Sequence, residues 1–285
     1  MSNSSVLFPT ILAIIVAFLG AVDGIIVRIL TSELHPFLIV FFRGLFGLVI
    51  IIPIFLRDNE VFISSYRYLH FFRAILKILA LTCFFLAFKS VPLSDVVSIS
   101  FMTPLLIIFG SILFLNEMPT KKHIMISFIG FMGILIILKP GFSIIPFALY
   151  WALLGAFLSA CIQLILKKMS SRDKPNTLIV WNLVCTVPLA LIPAFFFWTK
   201  PSLEMLILLV IQGLIGVLNM SFMTKAMSII DISYLAPYDF LRLPIISISA
   251  FFLFGEVPSL STLLGGFIIF FSSLIISNLA SKKNK

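Results

Sequence analysis

The sequence predicts an all-α integral membrane protein with ten transmembrane helices arranged as two inverted five-helix repeats. Three observations carry this expectation: an apolar composition that a water-soluble core cannot absorb, hydrophobic runs of bilayer length from end to end, and a self-similarity at an offset of 139 residues. Of the 285 residues 61% are hydrophobic and 11% charged, with a mean hydropathy of +1.22. A soluble domain carries roughly 45–50% apolar and about 25% charged residues.

The runs fall at 7–30, 36–56, 69–89, 94–115, 122–139, 148–166, 176–198, 204–225, 232–254 and 260–279. Each is close to the ~20 residues that cross a ~30 Å hydrocarbon layer. The first, in MSNSSVLFPTILAIIVAFLG, lacks the basic flank of a secretory signal and exceeds its apolar length, so it is expected to be retained as a span. Connecting segments are short and polar: Arg57-Asp58-Asn59-Glu60 after the second run, Lys121-Lys122-His123 before the fifth, and Ser171-Arg172-Asp173-Lys174-Pro175 between the sixth and seventh. No stretch is long enough for a separate soluble domain. The 32 Phe residues suit lipid-facing and interhelical packing. Cys83, Cys161 and Cys185 all fall inside spans without metal or disulfide spacing, and His35, His70 and His123 lie near span ends as interfacial polar residues.

Orientation follows from the basic residues. With the N-terminus inside, the cytoplasmic side holds 11 of them (Arg57, Arg67, Lys121, Lys122, Lys167, Lys168, Arg172, Lys174, Lys282, Lys283, Lys285) against 4 outside (Arg28, Lys89, Lys139, Lys200). The positive-inside rule therefore puts both termini in the cytoplasm, and an even number of spans agrees by placing them on the same side. The net charge of +9 thus reads as membrane-surface anchoring, and no nucleic-acid partner is expected.

At the 139-residue offset Ala87 pairs with Ala226, Ser94 with Ser233, Glu117 with Glu256 and Pro119 with Pro258; LFLNEMP at 113–119 lies opposite FLFGEVP at 252–258. Pro104 falls one residue short of Pro244. The repeats occupy 1–140 and 141–285. A five-span unit enters the membrane the second time with opposite orientation, the symmetry typical of secondary transporters.

The pattern Pro92-Leu93-Ser94, Pro104, Asn116-Glu117-Met118-Pro119, repeated as Ser233, Ala236-Pro237-Tyr238, Pro244 and Gly255-Glu256-Val257-Pro258, resembles the EamA domains of the drug/metabolite transporter superfamily over essentially the whole chain. The resemblance implies an alternating-access carrier of small metabolites in a bacterial inner membrane. The stretch Ala236-Pro237-Tyr238-Asp239-Phe240-Leu241-Arg242 is also similar to the S-adenosylmethionine uptake carriers of intracellular bacteria.

An Arg, Lys or Asp at a helix centre costs about 2.5–3.5 kcal/mol on insertion scales, so each needs a partner or a wet cavity. Arg28, Arg73 and Lys225 lie near enough to span ends to snorkel. Asp23, Arg43, Lys77, Asp239 and Arg242 remain as candidate substrate contacts or gates. Counting helical rise puts Asp23 and Arg43 about 10 Å below the outer surface and Lys77 and Asp239 about 10–12 Å from the inner one, giving two charged layers. Tyr238, Trp151 and Trp181 are candidate aromatic contacts for an organic ligand. Pro104, Pro237 and Pro244 are expected to break helices at hinges, since each removes a backbone donor.

The three cations against two carboxylates suit a carboxylate-bearing ligand at least as well as a cation, and a zwitterionic amino-acid derivative suits both. No cofactor is indicated, and GxxxxGK[ST] does not occur, so the chain carries no ATP-driven motor. The expected partners are a small-molecule substrate and the lipid bilayer, with the chain acting as a monomer or homodimer. Two readings compete: a metabolite or drug exporter of the same fold, and a membrane enzyme or lipid flippase.

Overall fold

The structure, a computed structural model, describes residues 3–57, 59–103, 105–107, 110, 114, 121–138, 146–170, 172–227, 229, 238–239 and 241–283. Among these the secondary structure is helical: α1 (Asn3–Leu30), α2 (Pro36–Arg57), a 3-10 turn (Asn59–Phe62), α3 (Arg67–Ser90), α4 (Leu93–Ser100), α5 (Lys121–Leu138), α6 (Phe147–Met169), α7 (Pro175–Phe196), α8 (Leu203–Met227), α9 (Arg242–Phe254) and α10 (Leu260–Lys283). Six helices are long and apolar enough to cross a bilayer, within Leu7–Leu30, Pro36–Pro53, Arg67–Ser90, Phe147–Met169, Pro175–Phe196 and Leu203–Ala226; the shorter apolar helices include Arg242–Phe254 and Leu260–Ser272. The chain is a membrane-embedded, multi-pass protein. Its outward side chains are apolar, Phe128, Phe147, Phe195 and Phe252 each more than half exposed, because hydrocarbon rather than water is the solvent there.

Helix starts follow proline. α4 opens after Pro92, α6 after Pro146, and α7 has Pro175 in its first turn, where a missing N–H leaves no helical bond unmade. The expected fourth span, 94–115, is not one uninterrupted helix. α4 ends at Ser100, and a turn at Phe101–Met102 precedes helical residues 105–107. Pro104 lacks the N–H that would bond the carbonyl of Ser100, which accounts for a break at this point. Pro104 and Pro237 themselves lie outside the described residues, whereas Pro244 sits in the first turn of α9, so it begins that helix rather than kinking it.

The helices pair in a regular pattern. Between the first five helices and the last five, α1 packs on α8 and α3 on α6; α2 packs on α8 and α3 on α7; α1 packs on α9 and α4 on α6; α2–α7, α4–α9 and α5–α10 also pair, and α4 meets α10. Apart from the α4–α10 contact, exchanging each of α1–α5 with the helix five later maps each of these contacts onto another or onto itself. A continuous core of Leu30, Leu38, Ile39, Phe85, Leu93 and Ile99, all fully buried, ties the central helices together. α5 and α10 cross where Gly133 meets Gly265: a Cβ on Gly133 would lie 2.7 Å from the Gly265 carbonyl, so neither position has room for a side chain. The alanines at 152, 156 and 160, four residues apart along α6, are buried, and small side chains at this spacing let helices approach closely.

Candidate functional site

A cavity of about 310 Å³ opens between α1, α2, α3, α7, α8 and the start of α9. Its polar lining comes from Arg43 on α2, Lys77 on α3, Thr186 on α7, Asn219 on α8, Asp239 and Arg242. Glycine makes the space. A Cβ on Gly20 of α1 would approach Arg242 Nε at 3.3 Å, and one on Gly216 of α8 would approach Arg43 Nε and Nη2 at 3.2 Å, so each guanidinium lies against a helix surface without a side chain.

Four of the six predicted contacts, Arg43, Lys77, Asp239 and Arg242, thus line one cavity. Asp23 stands behind Arg43, whose Nη1 donates to its Oδ1 at 2.5 Å; both side chains are mostly buried. Tyr238 is held apart from the lining. It packs on Leu12, Ala13 and Ala226 with Phe222 and Met223, behind the wall that Met223 presents to the cavity. Helical rise counted from span ends suggested two separate charged layers; lateral packing merges them, since α2, α3 and α9 bring Arg43, Lys77 and Arg242 to a common space. Among the described residues, Lys77, Asp239 and Arg242 have no hydrogen-bond or ion-pair partner, and Arg242 Nε and Asn219 Oδ1 are buried without one. Trp151 and Trp181 do not line the cavity: Trp151 packs edge-on against Phe147, and Trp181 stacks on His70 at 5.3 Å between ring centroids.

Two polar clasps flank the site and were missed in the sequence. At the end of the bundle where α1 finishes, Arg28 does not snorkel. It pairs with Glu256 at 2.7 Å and donates to the carbonyls of Phe88 and Val91, while Glu256 Oε2 accepts the Leu93 backbone N–H at 2.8 Å. Gly255, in the left-handed region at φ 68°, ends α9 and turns the chain so that Glu256 faces back toward the bundle. The signal for this clasp was the repeated Glu-x-Pro at the end of a run.

At the opposite end, Asp173 in the α6–α7 connection accepts from Ser64 Oγ at 2.5 Å and the Ser65 N–H at 3.1 Å, and lies 2.9 Å from His70 Nε2. Burial alone would raise the Asp173 carboxyl, but these donors outweigh it and hold it below the usual carboxylate range. Arg73, one turn along α3, is likewise not at the surface. It is 2% exposed and donates to the Leu178 carbonyl at 2.7 Å.

The EamA-like transporter family matches the chain twice, over residues 7–139 and 146–278. It is 28% identical to an S-adenosylmethionine uptake transporter of Rickettsia felis over 90% of this chain and 88% of the relative. It is 30% identical to a riboflavin transporter of Brucella anthropi over 84% and 87%, and 26% identical to a pseudopaline exporter of Pseudomonas aeruginosa over 94% and 95%. A crystal structure shares the fold over 100% of both chains at a TM-score of 0.66 and 16% identity. These relatives are named as transporters rather than enzymes, and they differ in substrate and direction. With both halves matched and a charged cavity enclosed between them, the chain belongs to the EamA-like transporter family.

Proposed function

We propose that the chain is a secondary carrier of a small organic metabolite, S-adenosylmethionine or another amino-acid derivative, working by alternating access in a bacterial inner membrane with both termini cytoplasmic. The observation that carries this is the cavity into which Arg43, Lys77, Asp239 and Arg242 project from helices of both halves. Groups that cost several kcal/mol at membrane depth are retained there with room for a ligand. The exchange symmetry of the helix contacts supports two five-helix repeats of inverted topology, at 1–140 and 141–285, that rock against each other around the cavity. On this reading the Arg28–Glu256 clasp closes the outer end and the Asp173 network the inner one, while the interruption after Ser100 supplies a hinge. The relative named as a pseudopaline exporter favours a second reading, the same mechanism run outward.

Counterflow of labelled S-adenosylmethionine into proteoliposomes tests the proposal. Uptake that needs internal unlabelled substrate and is lost in an Asp239→Ala, Arg242→Ala double variant is the expected result. Counterflow at the wild-type rate in that variant would remove the site assignment.

A further inference from the structure

We propose that Lys77 and Arg242 form a carboxylate-binding subsite and that the cavity selects ligands by the presence of a free carboxylate. The inference rests on the carrier reading only for the cavity's role, and its argument is one of charge. Arg43 is already neutralised by Asp23 at 2.5 Å, so it contributes position rather than free charge. What faces the ligand is Lys77 and Arg242 against Asp239, a sum of +1; among the described residues none of the three makes a hydrogen bond or salt bridge, and Asp239 lies near enough to Arg242 to feel its charge. A cation at membrane depth stays charged only where an anion or water compensates it.

Arg242 is fixed for the task. Gly20 lets its guanidinium lie flat against α1, and its Nε is buried without an acceptor, so a donor is left unused inside the protein. A planar guanidinium with free N–H groups matches a carboxylate, and a nearby ammonium adds a second point charge. Asp239 lines the same cavity and is the acceptor for a ligand ammonium. An α-amino acid head group therefore satisfies all three residues. A ligand with one carboxylate more than its cationic groups brings the sum to zero. A net-cationic ligand raises it, so S-adenosylmethionine, with a sulfonium and an ammonium against one carboxylate, is held less well than its uncharged-sulfur counterpart.

The test uses full-length protein in detergent and in proteoliposomes. The probes are S-adenosylmethionine, S-adenosylhomocysteine and L-methionine, each beside its carboxyl methyl ester. Binding is read by ligand-dependent thermal stabilisation and transport by counterflow. Each acid is expected to bind about 10-fold to 100-fold more tightly than its ester, the range of charge-assisted hydrogen bonds. S-adenosylhomocysteine is expected to exceed S-adenosylmethionine. Lys77→Gln should erase most of the acid-over-ester ratio and Lys77→Arg should restore part of it, a pattern that misfolding would not produce.

Esters that bind as well as acids, or a ratio unchanged in Lys77→Gln and Arg242→Gln, would overturn the subsite while leaving the carrier reading intact. Acid-selective binding without counterflow would support the subsite and sink the carrier reading instead.

Discussion

Replacing Glu256 by Gln and Arg28 by Met, singly and together, measures how strongly the Arg28–Glu256 clasp couples the two halves. Glu256 accepts from Arg28 at 2.7 Å and from the Leu93 N–H at 2.8 Å, with side-chain exposures of 12% for Glu256 and 24% for Arg28. A hydrogen bond to a charged group contributes about 1.5–3 kcal/mol. An exposed pair contributes only about 0.2–1 kcal/mol, and breaking a fully buried one costs about 3–5 kcal/mol. Intermediate burial places the coupling at about 1–2 kcal/mol, and Glu256→Gln alone at about 2–3 kcal/mol because the Leu93 donor also loses a charged acceptor. Unfolding of the four proteins in mixed micelles of rising denaturing-detergent fraction, analysed as a double-mutant cycle, reads the coupling directly. A coupling below about 0.3 kcal/mol would show that the two side chains meet without holding the helices, and would remove the clasp from the mechanism.

The Asp173 network predicts a pH dependence. Because its folded carboxyl titrates below the ordinary range, the stability it supplies is full above about pH 4, the unfolded carboxylate value, and is lost as pH falls through the lower folded value. Asp173→Asn should destabilise the protein near neutral pH and flatten this acid limb in thermal melts from pH 6 to 3; an unchanged limb would refute the assignment. Gly265→Leu should separate α5 from α10 and lower the melting temperature by several degrees, whereas Gly255→Ala should cost only about 1 kcal/mol, the strain of a Cβ in the left-handed region. Reversal of that order would mean the glycines act through chain flexibility rather than close approach. Labelling of single cysteines placed at Ser281 and at Lys200 should reach the first only from the cytoplasmic side and the second only from outside; the opposite pattern would invert the topology.

The sequence by itself determined that the chain lives in a membrane and is helical, because apolar runs of bilayer length permit little else. It also singled out the ionisable groups placed at membrane depth, since few are tolerated there: Arg43, Lys77, Asp239 and Arg242, which line the cavity, stand out from their place within the spans. What it did not determine was who meets whom. Depth along a helix is a one-dimensional count, so Asp23 and Arg43 were legible as neighbours 20 residues apart, across one turn of chain. Arg28 and Glu256, 228 residues apart, were not, and neither were His70 and Asp173 at 103. Such partners are fixed by how helices from opposite halves pack, so Arg28 and Arg73 read as surface-seeking side chains until the tertiary structure supplied their acceptors. The same packing brings Arg43 of α2, Lys77 of α3 and Arg242 of α9 to the lining of one cavity, a grouping that depth along each helix does not reveal.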